Sequence, residues 1–199
     1  MKHLKILSLA AVAAMALMAF ASSAYAAGGG LYNGSTRLGV GAKIDFSGSA
    51  KLVDTSGNTL DSCTGSTVNG ELTNAGSSTV NPTGNISELT WTGCTFTTKT
   101  VSTGNKLQIE WTSGTTGNVK SDSQIEVTIN TVLFGSCIYG VANGTSVGTL
   151  TTAATGAATF DANAVAKRFG TNFACPETSK WTGTYTSTEP SPNLHIEAS

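Results

Sequence analysis

Apolar residues recur at every second position in several short segments of this chain, and that spacing admits few folds other than a β structure. Leu38, Val40, Ala42, Ile44 and Phe46 share one parity, with Gly39, Gly41, Lys43 and Asp45 between them. Leu107, Ile109 and Trp111 alternate with Gln108 and Glu110, and Ile125, Val127 and Ile129 alternate with Glu126, Thr128 and Asn130. Toward the end, Trp181, Gly183 and Tyr185 alternate with Thr182, Thr184 and Thr186. Successive side chains of a strand point to opposite faces, so each run reads as a strand with one buried and one wet face. Clusters of turn residues separate the runs, among them Asp54-Thr55-Ser56-Gly57-Asn58 and Asn81-Pro82-Thr83-Gly84. About a dozen short strands punctuated in this way predict an all-β chain, an antiparallel β-sandwich of Ig-like, Greek-key or jelly-roll style.

Three places carry more specific expectations. Asn143-Gly144 lies between the run Cys137, Ile138, Tyr139, Val141 and the run Val147, Thr149, Leu150. Asn-Gly suits a type I′ turn, so this stretch reads as a hairpin with Ala142 opposite Thr145 and Cys137 opposite Leu150. Residues 86–96 put Leu89 and Trp91 on one face and Cys94 and Phe96 on the other, which predicts a bulge or a change of environment. Residues 162–169 read as one short connecting helix, with Asp161 as its cap and Val165 and Phe169 one turn apart.

The first 26 residues have the form of a cleavable secretion signal. Lys2, His3 and Lys5 precede an apolar stretch from Ile6 to Phe20, and Ala24-Tyr25-Ala26 is a small-x-small cleavage site. No cysteine follows the apolar stretch, which argues against a lipid anchor, and no second stretch is long enough to span a bilayer as a helix. Residues 27–199 then form a single exported β-sandwich domain, placed in the periplasm, at the cell surface or outside the cell. That part holds nine Lys and Arg against twelve Asp and Glu, a net charge of −3. Nucleic acid and anionic membranes require a basic footprint, so neither is an expected partner. Charged residues are only 12% of the chain, and Thr, Ser, Gly and Asn fill the polar positions, as they would on the wet face of a β protein.

All four cysteines, Cys63, Cys94, Cys137 and Cys175, fall in the exported part. In an oxidising compartment they read as two disulfides. Of the three pairings, Cys63–Cys94 with Cys137–Cys175 is favoured, because each closes a moderate loop between neighbouring strand candidates. A zinc site lacks both Cys-x-x-Cys spacing and histidines, since His195 is the single histidine after the leader.

That same scarcity rules out a His-dependent triad within one chain, and His195, between Leu194 and Ile196, reads as solvent-facing. No nucleophile elbow, P-loop, zincin or EF-hand pattern is present, so no catalytic, metal or cofactor residue is assigned. Glu110 and Glu126 are the one carboxylate pair that could serve a hydrolase, on strands that could be neighbours. Their ordinary reading is as wet-face acids. Trp91, Trp111 and Trp181 are in phase with apolar neighbours and read first as core, second as a ligand platform for a carbohydrate or a hydrophobic small molecule.

Cys63-Thr-Gly-Ser-Thr-Val68-Asn-Gly-Glu-Leu72, Trp91-Thr-Gly-Cys94-Thr and Cys137-Ile-Tyr139-Gly, followed by Cys175-Pro176 and Trp181-Thr-Gly-Thr-Tyr185, carry a resemblance. The chain resembles small secreted, cysteine-bearing, β-rich proteins of soil bacteria, over roughly residues 38–196. More loosely, it is similar to secreted activators of alkane oxidation. The resemblance implies export and fold type and carries over no catalytic residue. The leading expectation is a non-catalytic protein with a structural, adhesive or matrix role, partnered by itself or by cell-surface components, with β-prone segments 107–111 and 125–134 available for edge pairing.

Overall fold

A computed structural model describes residues 28–96, 99–101, 106–131, 135–152, 157–169, 172–190 and 193–199; the expected leader lies outside them. Among the described residues fourteen strands and no helix form. They are β1 (Gly29–Asn33), β2 (Thr36–Arg37), β3 (Lys43–Asp54), β4 (Thr59–Asn74), β5 (Thr83–Cys94), β6 (Lys99–Val101) and β7 (Lys106–Ser113). Then follow β8 (Thr116–Ser121), β9 (Ile125–Thr131), β10 (Gly135–Val141), β11 (Ser146–Thr152), β12 (Ala158–Phe169), β13 (Thr178–Glu189) and β14 (Leu194–Ala198).

The fold is an antiparallel β-sandwich. A large sheet runs β11-β8-β7-β5-β4-β3-β13-β12-β10-β9-β6, and a small one, β14-β1-β2, packs against β7, β8 and β11. A further pairing of β11 with β12 joins the large sheet to itself, so eight strands form a hydrogen-bonded ring and the layers of the sandwich are continuous. Such closure leaves the ring strands fewer edges open to strand addition. Inside the ring an aromatic series crosses the core. Phe46 meets Phe160 edge-on at 6.1 Å, Phe160 lies 5.7 Å from Tyr185, and Tyr185 meets Trp181 edge-on at 6.1 Å.

The alternating runs form strands where the sequence places them, with local exceptions. Gly39-Val40-Gly41 is a turn, closed by Ala42 N–H donating to Gly39 O, with Gly41 at φ 87°. Val40 is therefore exposed, and β3 begins at Lys43. The Asp54 turn forms as expected. Asp54 Oδ1 accepts the N–H groups of Ser56 and Asn58, and Oδ2 accepts from Asn58 Nδ2, each at 2.8 Å, and these bonds, led by the Asn58 side chain, hold its carboxyl below the usual carboxylate range.

The expected helix at 162–169 is part of strand β12. Ala158, Phe160, Ala162, Ala164 and Ala166 are buried, while Asp161, Asn163, Val165 and Lys167 are exposed. Alanine is the strongest helix former, but propensity is a weak local preference, and a period-2 stripe paired with β13 overrides it. Asp161 does not cap a helix; it accepts a hydrogen bond from Thr184 Oγ1 at 2.9 Å across the β12–β13 pair.

Asn143-Gly144 also departs from the sequence expectation. The turn exists, with Gly144 at φ 78° and Thr145 N–H donating to Ala142 O, but no hairpin follows from it. Cys137 lies opposite Ile129 of β9, and Leu150 lies opposite Phe160 of β12 and Gly117 of β8. Both β10 and β11 run antiparallel to β12 along the same edge, so they follow one another and do not face each other. Between the pairs Gly140–Lys167 and Gly148–Ala162, residues 141–147 oppose residues 163–166, and the surplus loops outward. Buried Ser121, at the end of β8, occupies the loop. Its N–H donates to Thr145 O (2.9 Å), its carbonyl accepts from Gly144 (2.7 Å), and its hydroxyl donates to Ala142 O (2.6 Å). The turn's polar groups are satisfied by a third strand, which removes the need for a hairpin partner. Ser121→Ala should therefore lower stability by about 1–2 kcal/mol in urea denaturation. A change within error would mean that the clasp contributes nothing.

Candidate functional site

The cysteines pair as favoured, Cys63 with Cys94 and Cys137 with Cys175. Cys63 and Cys94 are directly opposed on β4 and β5. From Cys63–Cys94 the β4–β5 register runs unbroken, with Gly93 at φ 58°, to Asn69–Glu88, and it shifts by one residue at Gly70–Ile86, leaving Ser87 as a bulge on β5. It falls within residues 86–96, where the sequence predicts a bulge. The second disulfide ties β10 to the segment between β12 and β13, where Arg168 also donates to Cys175 O at 2.6 Å. Two disulfides suit an oxidising compartment.

The carboxylates do not assemble. Glu110 on β7 pairs with Lys120 Nζ at 2.6 Å, Glu126 on β9 accepts from Gln124, and β7 and β9 are not neighbours in the sheet. His195 is not solvent-facing. Its side chain is 13% exposed, stacks on Tyr32 at 5.6 Å, and contacts Asn193 O and Glu197 Oε1. Asp61 lies beside Cys63 and Cys94, but with the two sulfurs bonded to each other the trio offers a metal only the carboxylate.

The tryptophans divide. Trp111 is half-buried, and its Nε1 donates to Gly114 O in the β7–β8 turn at 2.8 Å. Trp91 and Trp181, also half-buried, line one interior cavity of about 80 Å³ with Leu52, Leu89, Ile125, Val127, Ile129, Tyr139, Val141 and Phe160. Nine strands, β3, β4, β5, β7 and β9 to β13, contribute to this wall, and the lining is almost wholly apolar. A second apolar cavity of about 80 Å³ adjoins it, with Leu31, Phe46, Pro82, Ile109, Val119 and Leu150. Val68, Ile86, Leu107 and Phe160 line both.

The small residues of the wall explain the space. Ala50, Ala164 and Ala166 are buried where a sandwich core ordinarily carries Leu, Ile or Val, and Ala164 is paired with Trp181. Around the first cavity the wall also changes character. β5 is paired with β7 only from Thr83 to Asn85, so beyond Ile86 that edge, which carries Leu89 and Trp91, makes no ladder with β7. The chain matches no protein-family model, no curated protein and no solved structure.

Besides exposed Lys51, two buried polar side chains interrupt the apolar lining of the first cavity. Asp61, 3% exposed, accepts the N–H groups of Ser62 (2.8 Å) and Phe96 (3.1 Å). Tyr139, also 3% exposed, carries a buried hydroxyl with no hydrogen-bond partner among the described residues. Burial pushes its pKa above the ordinary tyrosine range, against the opposing pull of Arg168. Tyr185 is pushed up by burial as well, against the pull of Ser66 and Trp181, but its hydroxyl is satisfied. It donates to Ser66 Oγ at 3.1 Å, which in turn donates to Thr90 O at 3.0 Å. Cys137, Tyr139 and Val141 share one parity and are all buried in β10. The alanine stripe was not read from the sequence, because those residues read as helix.

Proposed function

We propose that this chain is an exported, non-catalytic β-sandwich that holds a small apolar molecule in its interior. The observation that carries the reading is the pair of adjoining apolar cavities, the first lined by Trp91, Trp181 and residues of β9 and β10 as well as by strands of the ring. Binding sites for small molecules are concave and mostly apolar, with a few placed polar groups. A purely structural, adhesive or matrix role would draw on surface features and has no use for an alanine-lined interior. Export rests on the signal-like leader and on two disulfides, which suit an oxidising compartment. The absence of catalysis rests on Glu110 and Glu126, which are held by separate neighbours on non-adjacent strands.

The test is thermal unfolding of the oxidised mature chain with benzene, toluene or xenon, together with Trp fluorescence. A ligand that binds only the folded state at a hundred times its Kd adds about 2.7 kcal/mol of stability. Ala164→Leu fills the space beside Trp181 and should abolish the effect while keeping near-UV circular dichroism. If none of the three raises the midpoint or changes the emission, the interior does not serve as a binding site.

A further inference from the structure

We infer that the first cavity selects a neutral apolar molecule with one hydroxyl or carbonyl group, which pairs with the Tyr139 hydroxyl. This rests on the interior-binding reading above and names its ligand class. Tyr139 is 3% exposed, lines the cavity, and leaves its hydroxyl without a partner among the described residues. A buried hydroxyl that makes no hydrogen bond destabilises the free protein, and phenylalanine in its place would have the same shape without that cost. The other buried tyrosine of the core has no such defect, since Tyr185 donates to Ser66. The Tyr139 hydroxyl is thus a polar group desolvated in advance, in a mostly apolar wall where Trp181 Nε1 is the other buried donor without a partner among the described residues.

Charge decides the head group. Asp61, 3% exposed, and Lys51 both line the cavity, but Lys51 is exposed, so a carboxylate ligand would meet a buried acid while the one cation of the lining stays in solvent. A neutral hydroxyl or carbonyl meets no such repulsion. Size limits the body. With about 80 Å³ on each side of Phe160, the space suits a single ring or a short chain and excludes a long fatty acid.

The experiment compares phenol, toluene and benzoate by calorimetric titration into the oxidised mature chain and into Tyr139→Phe. Without a polar partner in the wall, phenol should bind more weakly than toluene, because its hydroxyl would lose water for nothing. With Tyr139 as partner, phenol should bind about tenfold more tightly than toluene, and benzoate should bind less than either. In Tyr139→Phe the phenol preference should vanish while toluene affinity stays the same, and the unfolding midpoint of the free protein should rise. Phenol binding no better than toluene in the parent chain, a preference that survives Tyr139→Phe, or a lowered midpoint in that variant would each overturn the assignment. Toluene failing to bind at all would instead remove the interior-binding reading on which it stands.

Discussion

Tyr185→Ala is expected to cost about 4 kcal/mol of folding stability, among the largest losses available to a single substitution in this chain. The Tyr185 side chain is fully buried, packs on Phe160 and Trp181, and braces β13 to β4 through Ser66. It also lies opposite Gly48 of β3, where an added Cβ would run into the Thr184 carbonyl and the Tyr185 backbone, so no neighbour can grow to fill the space it vacates. The cavity left behind would adjoin two that already exist, and the core has little means of collapsing around it. Tyr185→Phe separates packing from hydrogen bonding. Ser66 keeps its own bond to Thr90 O, so the phenylalanine variant should lose only about 1 kcal/mol. Urea denaturation of the three proteins measures both; equal losses in the two variants would show that the hydroxyl, and not the ring, carries the contribution.

Removing the Cys137–Cys175 disulfide should be comparably costly. The cysteines are 38 positions apart, and releasing a loop of that length returns about 4 kcal/mol of chain entropy to the unfolded state. The bond also fixes β10 at the point where it leaves β12, with pairing between them limited to Ile138–Phe169, Tyr139–Arg168 and Gly140–Lys167. The double variant Cys137→Ser, Cys175→Ser should therefore unfold at lower denaturant, and it should also loosen the strand that carries Tyr139. Calorimetry with toluene reads the second consequence as weaker binding. A double variant within 1 kcal/mol of the parent would mean that the crosslink merely records a contact the fold makes unaided.

Both effects depend on features that differ in how visible they were in the sequence. The cysteine pairing was legible because each favoured loop joins neighbouring strand candidates, and Cys63 with Cys94 indeed face each other on adjacent strands. β7 and β9 were legible because a half-buried strand repeats its chemistry every two residues whatever lies beside it. The Asp54 turn was legible because its carboxylate binds N–H groups only two and four residues away. Glu110 and Glu126 illustrate the opposite case. Each is readable as a wet-face acid, but whether β7 neighbours β9 is a property of the sheet order.

By itself, then, the sequence determined the strand period, the turn chemistry, the polarity of each face and the supply of four cysteines, all of which act over a few residues or through composition. Only the tertiary structure decided that Ala162, Ala164 and Ala166 lie in a strand, because the edge of β13 is what overrides alanine's helical preference. Only it decided that Asn143-Gly144 loops out around Ser121 and closes no hairpin, because the turn's hydrogen bonds go to β8, more than twenty residues earlier. The first interior cavity depends on the former, since Ala164 and Ala166 of β12 line it and Ala164 lies beside Trp181 on the adjacent strand. Empty volume is a relation among distant residues, and no local pattern encodes it.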